Sequence, residues 1–113
     1  MLSIKKYAAI DIGSNAVRLL ISNIIEEKGK SVRFKKSSLV RVPIRLGADV
    51  FLNNEISSKN AVRLQDTMLA FKLLMKSHNV VLYKACATSA MREAKNKDII
   101  KNRIFEETRQ TIQ

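Results

Sequence analysis

The chain has 113 residues, with 21 Lys and Arg against 10 Asp and Glu, one Cys, one His and no Trp, for a formal charge of +11. A compact chain of this length closes one core and no second, with a radius of gyration of roughly 13 Å. Leu, Ile, Val and Phe account for 35 of the residues, well above the ~20% below which chains stay disordered.

No apolar run approaches the ~18 residues of a membrane helix, and Asp11 interrupts the apolar stretch behind Met1 to Lys6, a poor secretory signal. The lone Cys86 cannot form an intramolecular disulfide. Its place in an apolar run predicts a buried thiol and a reducing, cytoplasmic compartment. Residues 1–45 hold ten basic and three acidic side chains, and the remainder eleven and seven. That balance fits a polyanionic partner, or simply a soluble surface.

Tyr7 to Ile12 is a short apolar run that stops at the turn formers Gly13, Ser14 and Asn15. Ala16 to Ile25 resumes a β-rich pattern, and a second turn falls at Glu26 to Lys30, where Gly29 supplies a positive φ cheaply. Ser31 to Val42 alternates loosely and ends at Pro43, which suits a strand end. Three consecutive antiparallel strands are the simplest reading.

A loop through Gly47, Asp49, Asn53 and Asn54 follows, and then the period changes from about 2 to about 3.6. Ser57 or Ser58 caps the helix, Asn79 ends it, and Val62, Leu64, Met68, Leu69, Phe71, Leu73, Leu74 and Met75 form a broad apolar face against a sheet. Val80 to Ala87 reads as a strand that a helical crossover sets parallel to one of the first three. Ser89 to about Gln110 is helical, with a break near Asn96 to Asp98, where Asn96 caps a second helix bearing Ile99, Ile100, Ile104 and Phe105. The order is βββαβα.

Chemistry has two natural places. Asp11 inside an apolar run is costly unless paired, hydrated or near a metal, and the turn at Gly13, Ser14 and Asn15 offers consecutive N–H groups that can cradle phosphate oxygens. A plain hairpin turn is the bland alternative. At Thr88, Ser89 and Arg92 a strand gives way to a helix whose first amides favour an anion, with Arg92 available for a bidentate contact. An ordinary capped helix with a solvated arginine is the alternative there.

Together the loops are far more specific. Asp11-Ile12-Gly13-Ser14-Asn15 with Arg18, Arg45-Leu46-Gly47, and the run from Ala87 to Asn96 resemble, in order and spacing, the exopolyphosphatase and guanosine pentaphosphate phosphohydrolase family. The resemblance covers nearly the whole chain. It implies an α/β half-domain of the ribonuclease H-like, actin-like ATPase type shared by actin, sugar kinases and heat-shock chaperones. That half-domain starts with the βββαβα order already read from periodicity.

The resemblance further implies a hydrolase that releases terminal phosphate from inorganic polyphosphate or guanosine pentaphosphate. Gly13, Ser14 and Asn15 would hold a terminal phosphate and Asp11 would orient Mg²⁺ through water. Arg18 would face the cleft, and Thr88, Ser89 and Arg92 would line the opposite wall, Arg92 neutralising charge on the transferred phosphoryl group. Arg45 matches the family stretch with little expectation of substrate contact. A homodimer is implied for the longer protein.

Family members carry a Ser-Gly-x-x-Glu-Ala segment with the catalytic base and a second phosphate loop, Asp-x-Gly-Gly-Gly-Ser. Gln113 precedes both, and Glu93, Glu106 and Glu107 match neither. Residues 1–113 are therefore expected to be the N-terminal portion of the first actin-like domain, incomplete at its C-terminus, with a half-built site and an exposed final sheet edge.

His78 reads as a helix-end residue, and one His with one Cys makes no zinc cluster. Met68, Met75 and Met91 read as core filler. Lys28, Lys30, Arg33, Lys35 and Lys36 form a basic hairpin, solvated or crossed by a polyanion. A nucleic-acid module is disfavoured by six aromatics and no binding signature. A non-catalytic polyphosphate-binding module on the same fold remains the competing class.

Overall fold

The computed structural model describes all of Met1 to Gln113. Strands β1 (Leu2–Ile12), β2 (Ala16–Glu27) and β3 (Arg33–Pro43) are followed by helices α1 (Leu46–Asn53) and α2 (Ser58–Ser77), strand β4 (Leu82–Ala87), and helices α3 (Ser89–Glu93) and α4 (Lys97–Thr108). One sheet runs β3-β2-β1-β4. The two hairpins are antiparallel and β4 lies parallel to β1, as a right-handed crossover through α2 requires.

Alternation decides what each strand buries. Ala8, Ile10 and Ile12 of β1, Val17, Leu19 and Ile21 of β2, and Ala85 and Ala87 of β4 join Leu64, Met68, Phe71 and Met75 of α2 and Ile100 and Ile104 of α4 in one core. The residues between them, Ala9, Arg18, Leu39, Arg41, Lys84 and Cys86, are exposed on the opposite face. Cys86 is thus a solvent-facing thiol and not the buried one its apolar neighbours suggest, because Ala85 and Ala87 on either side take the core positions.

The apolar face of α2 is narrower than its composition implies. Val62, Leu69 and Leu73 are exposed, while Ala61 and Thr67 are buried in the seam. On α4, Ile100 and Ile104 are buried and Ile99 and Phe105 exposed. Ser57 is the N-cap of α2, its hydroxyl accepting from Asn60 N–H at 3.2 Å. His78 N–H bonds Leu74, Asn79 N–H bonds Lys76 and Val80 N–H bonds Met75 C=O, with Asn79 at φ 60°, so the chain turns by a left-handed residue into β4.

Two elements differ from the sequence reading. Residues 46–53 form helix α1, not a loop, and the region after β4 is a single five-residue turn of helix, then a separate α4. Asn96 stands at the start of α4 but makes no side-chain cap. Its amide instead accepts from Ile56 N–H at 3.0 Å and donates to Ile56 C=O at 2.9 Å, a two-point clamp on the segment before α2.

The outer edge of β4 is not bare at its C-terminal end. Gln113 N–H donates to Ala85 C=O and Gln113 C=O accepts from Ala87 N–H, the bonding of a parallel neighbour. At the other end of the sheet Leu2 to Lys5 and Arg33 to Ser37 are exposed at successive positions, so neither face is covered there. This projecting arm makes the molecule 54 Å long and 20–23 Å across, with a radius of gyration of 15.7 Å, above the compact expectation.

Candidate phosphate-binding site

Three distant segments converge on the turn between β1 and β2. Gly13 N–H closes it by donating to Ala16 C=O at 3.0 Å, and a Cβ on Gly13 would stand 3.1 Å from that oxygen, so the tightness of the turn calls for glycine. Thr88 donates both its N–H, at 3.0 Å, and its hydroxyl, at 3.2 Å, to Ile12 C=O. Gly47 N–H donates to Ser14 C=O at 2.8 Å, and a Cβ on Gly47 would approach Ser14 Cβ to 3.0 Å. The turn is therefore held from below by β4's end and from the side by the first turn of α1.

This bracing changes two expected roles. The Gly13 N–H and the Thr88 hydroxyl are spent on shaping the loop. The N–H groups of Ser14 and Asn15 have no partner within the chain and stay available to an anion. Helix α3, at five residues, has too short a dipole to add much at Ser89.

The expected site residues divide between two recesses on either side of the turn. The first, about 410 Å³, is lined by Ser14 of the turn, Gly47, Val50, Phe51 and Asn54 of α1 and its cap, and Ser89, Ala90 and Glu93 of α3. The second, about 390 Å³, lies on the open sheet face and is lined by Ala9, Asp11, Arg18, Leu20, Leu39 and Arg41. Asp11 pairs across the ladder with Arg18, and Arg18 with Arg41, so a carboxylate and two guanidinium-bearing residues form one row. Asn15 is exposed at the tip between the recesses, and Arg92 is exposed on α3 and lines neither. Arg45 is likewise exposed and makes no cap bond; the Arg-Leu-Gly stretch matters here through buried Leu46 and through Gly47.

Arg41, Phe51 and Asn54 were not singled out by sequence. Arg41 lacked a signal because a β-bulge between Ile21 and Ser22 moves β3 by one residue against β2. Pairing outward from the Gly29 turn at constant register would set Arg18 against Val40.

Asp49 ties α1 to α2. Its Oδ2 accepts from Ser57 N–H at 2.9 Å, Ser57 Oγ at 2.8 Å and Asn60 Nδ2 at 2.9 Å. Burial works to raise its pKa, but those three donors outweigh it and hold the carboxyl below its ordinary 3.8.

As a metal site the open-face row offers one carboxylate, and no cluster of three His, Cys, Asp or Glu side chains occurs anywhere in the chain. That donor set does not suit a closed metal cage. It does suit Mg²⁺, which keeps several waters and takes one or two carboxylates plus phosphate oxygens. No helix is long and apolar enough to cross a membrane.

The mixed 3-2-1-4 sheet with its helical crossover, and the β1–β2 turn braced by the following strand end, define an actin-like ATPase-type domain. The chain superposes on a Ppx/GppA protein of Aquifex aeolicus with a TM-score of 0.87 and 28% identity, covering 98% of this chain and 35% of that one. It is 26% identical over 98 residues to exopolyphosphatase 2 of Mycobacterium tuberculosis, 87% of this chain and 30% of that protein. It is 31% identical over 108 residues to a bifunctional 3-dehydroquinate synthase/phosphatase of Fusobacterium nucleatum, 90% of this chain and 16% of that protein. No family model matches the chain. By fold and by sequence the chain belongs to the Ppx/GppA family and corresponds to its N-terminal part. It spans about a third or less of the length of these relatives.

Proposed function

We propose that this chain forms the first phosphate-binding wall of an enzyme that hydrolyses terminal phosphoanhydride bonds, with inorganic polyphosphate or guanosine pentaphosphate as substrate. The observation that carries the reading is the convergence of Gly47 N–H on Ser14 C=O and of both Thr88 donors on Ile12 C=O, which fixes a tight turn with two unused N–H groups. Phosphoryl transfer passes through a loose transition state, so catalysis consists mainly of positioning and charge stabilisation.

The Ser14 and Asn15 amides would receive the terminal phosphate, with the Ser14 and Ser89 hydroxyls beside them. Gly13 and Thr88 contribute by holding the loop's shape. Arg18 would balance charge from the open face and Arg92 from α3. Mg²⁺ would be held by Asp11 through water and by phosphate oxygens, where it supplies positive charge to the phosphoryl group.

Titration of the 113-residue chain with tripolyphosphate tests the site. Arg18→Ala with Arg92→Ala is expected to abolish binding, and unchanged affinity would reject the assignment. Phosphate release from either substrate with Mg²⁺, measured on the complete product of the gene, tests the reaction. No release from either would reject the hydrolase and leave a binding module.

A further inference from the structure

The recess beside α1 has the wrong charge for a phosphate chain. Neither Lys nor Arg lines it, and its one ionisable side chain is Glu93, which has no ion-pair partner. What it does offer is a phenyl ring, a carboxylate and small polar groups. Phe51 stands at its rim 88% exposed, contributing almost nothing to the core. Asn54 and Glu93 bring amide and carboxylate groups, and Ser14, on the same wall, belongs to the turn with the unused amides. A flat aromatic face plus an edge-reading acceptor is the equipment with which proteins take up a single unstacked base.

We propose that the recess between the β1–β2 turn, α1 and α3 is a nucleobase subsite, in which Phe51 stacks on guanine and Glu93 accepts hydrogen bonds from its Watson–Crick edge. The inference rests on the phosphoanhydride reading and deepens it, since it directs the chain toward a guanosine polyphosphate. A carboxylate is acceptor-only when ionised, so it matches the two adjacent donors of guanine, N1–H and the 2-amino group. Adenine presents an acceptor at N1 and repels it. Ser14 lines the base recess while its N–H belongs to the phosphate turn, so a ligand with its base against Phe51 has its phosphates directed at that turn. A long polyphosphate gains nothing from Phe51 and is repelled by Glu93.

The test follows backbone amide resonances of the 113-residue chain through titrations with guanosine, adenosine and tripolyphosphate. Guanosine carries no phosphate, so its binding reports on the recess independently of the phosphate site. It is expected to shift Gly47, Phe51, Asn54 and Ser89 and to bind about tenfold more tightly than adenosine. Phe51→Ala is expected to weaken guanosine about tenfold, the usual scale for one lost stacking partner. Glu93→Gln should remove the preference for guanosine over adenosine.

Both side chains are exposed and make no hydrogen bonds within the chain, so the variants fold. Equal response to the two nucleosides, no response to either, or displacement of the recess resonances by tripolyphosphate would overturn the subsite. Tripolyphosphate bound at Ser14 and Asn15 with guanosine unbound rejects the subsite alone. Guanosine bound without tripolyphosphate supports the subsite and rejects the phosphate reading.

Discussion

Asp49 spends one oxygen on three donors, two from Ser57 and one from Asn60, and so serves as a second cap for α2 from outside the helix. Asp49→Asn keeps an acceptor but loses the charge, and we expect a loss of about 1 kcal/mol at neutral pH. The pKa of the folded form lies below the ordinary 3.8. Its stabilisation is therefore complete above that value and disappears as pH falls through the lower folded pKa. Urea unfolding near pH 6 should separate the two proteins, and the gap should close near pH 2; a gap that persists in acid would reject the charge-assisted cap.

Gln110 is the opposite case. It is 2% exposed, and neither its amide oxygen nor its nitrogen has a partner. An unsatisfied buried amide costs on the order of 1–3 kcal/mol, so Gln110→Leu, similar in size, is expected to raise stability by about 1 kcal/mol. A loss in thermal denaturation would mean that the amide is bonded in solution.

At the scale of elements, the clamp of Asn96 on Ile56 joins the start of α4 to the start of α2 across 40 residues of sequence. Ile56 is 2% exposed, so Asn96→Ala leaves its N–H and C=O without these partners. The expected cost is about 1–3 kcal/mol, read as a lower urea midpoint with unchanged slope; a change under ~0.5 kcal/mol would show that the segment finds other partners.

Elements with a strong period were legible. The three hairpin strands, the twenty-residue α2 and parallel β4 follow from alternation and from apolar spacing. Helix α1 was not, because only Leu46 and Val50 point to the core while Phe51 and Leu52 are exposed and Gly47 weakens the propensity. Asn96 was read as a cap because Asn before an apolar helix usually is one, and no local pattern reveals a partner 40 positions away. The turn at Gly13 was visible as a phosphate loop by resemblance, yet which of its amides stay unused depends on Ala16, Thr88 and Gly47 closing around it. The acidic recess had no signature at all, since Phe51 and Glu93 lie 42 positions apart on short helices.

Over the whole molecule, 21 basic residues meet ten acidic ones, and both ion pairs formed share a single carboxylate, Glu27, with Lys30 at 3.4 Å and Arg33 at 3.6 Å. Most of the positive charge is therefore uncompensated and repels itself, and screening by salt should raise the melting temperature between about 0.01 and 0.2 M NaCl. A polyanion would relieve the same repulsion, so stabilisation by polyphosphate is not alone evidence of a site. Position separates the two effects. Arg18 and Arg41 stand in the row with Asp11 beside the turn, whereas Lys28 and Lys35 lie on the projecting arm at the far end of the sheet.

A ligand at 100 times its Kd stabilises by about 2.7 kcal/mol. With tripolyphosphate at low salt, Arg18→Ala and Arg41→Ala should remove most of that gain, while Lys28→Gln with Lys35→Gln should remove little. Equal losses from both pairs would mean that the anion reads net charge and not the turn. A residual gain at ~0.2 M NaCl in the arm variant, absent from the Arg18 variant, would mark the desolvated contacts of a built site, since diffuse attraction is screened within about 8–10 Å under those conditions.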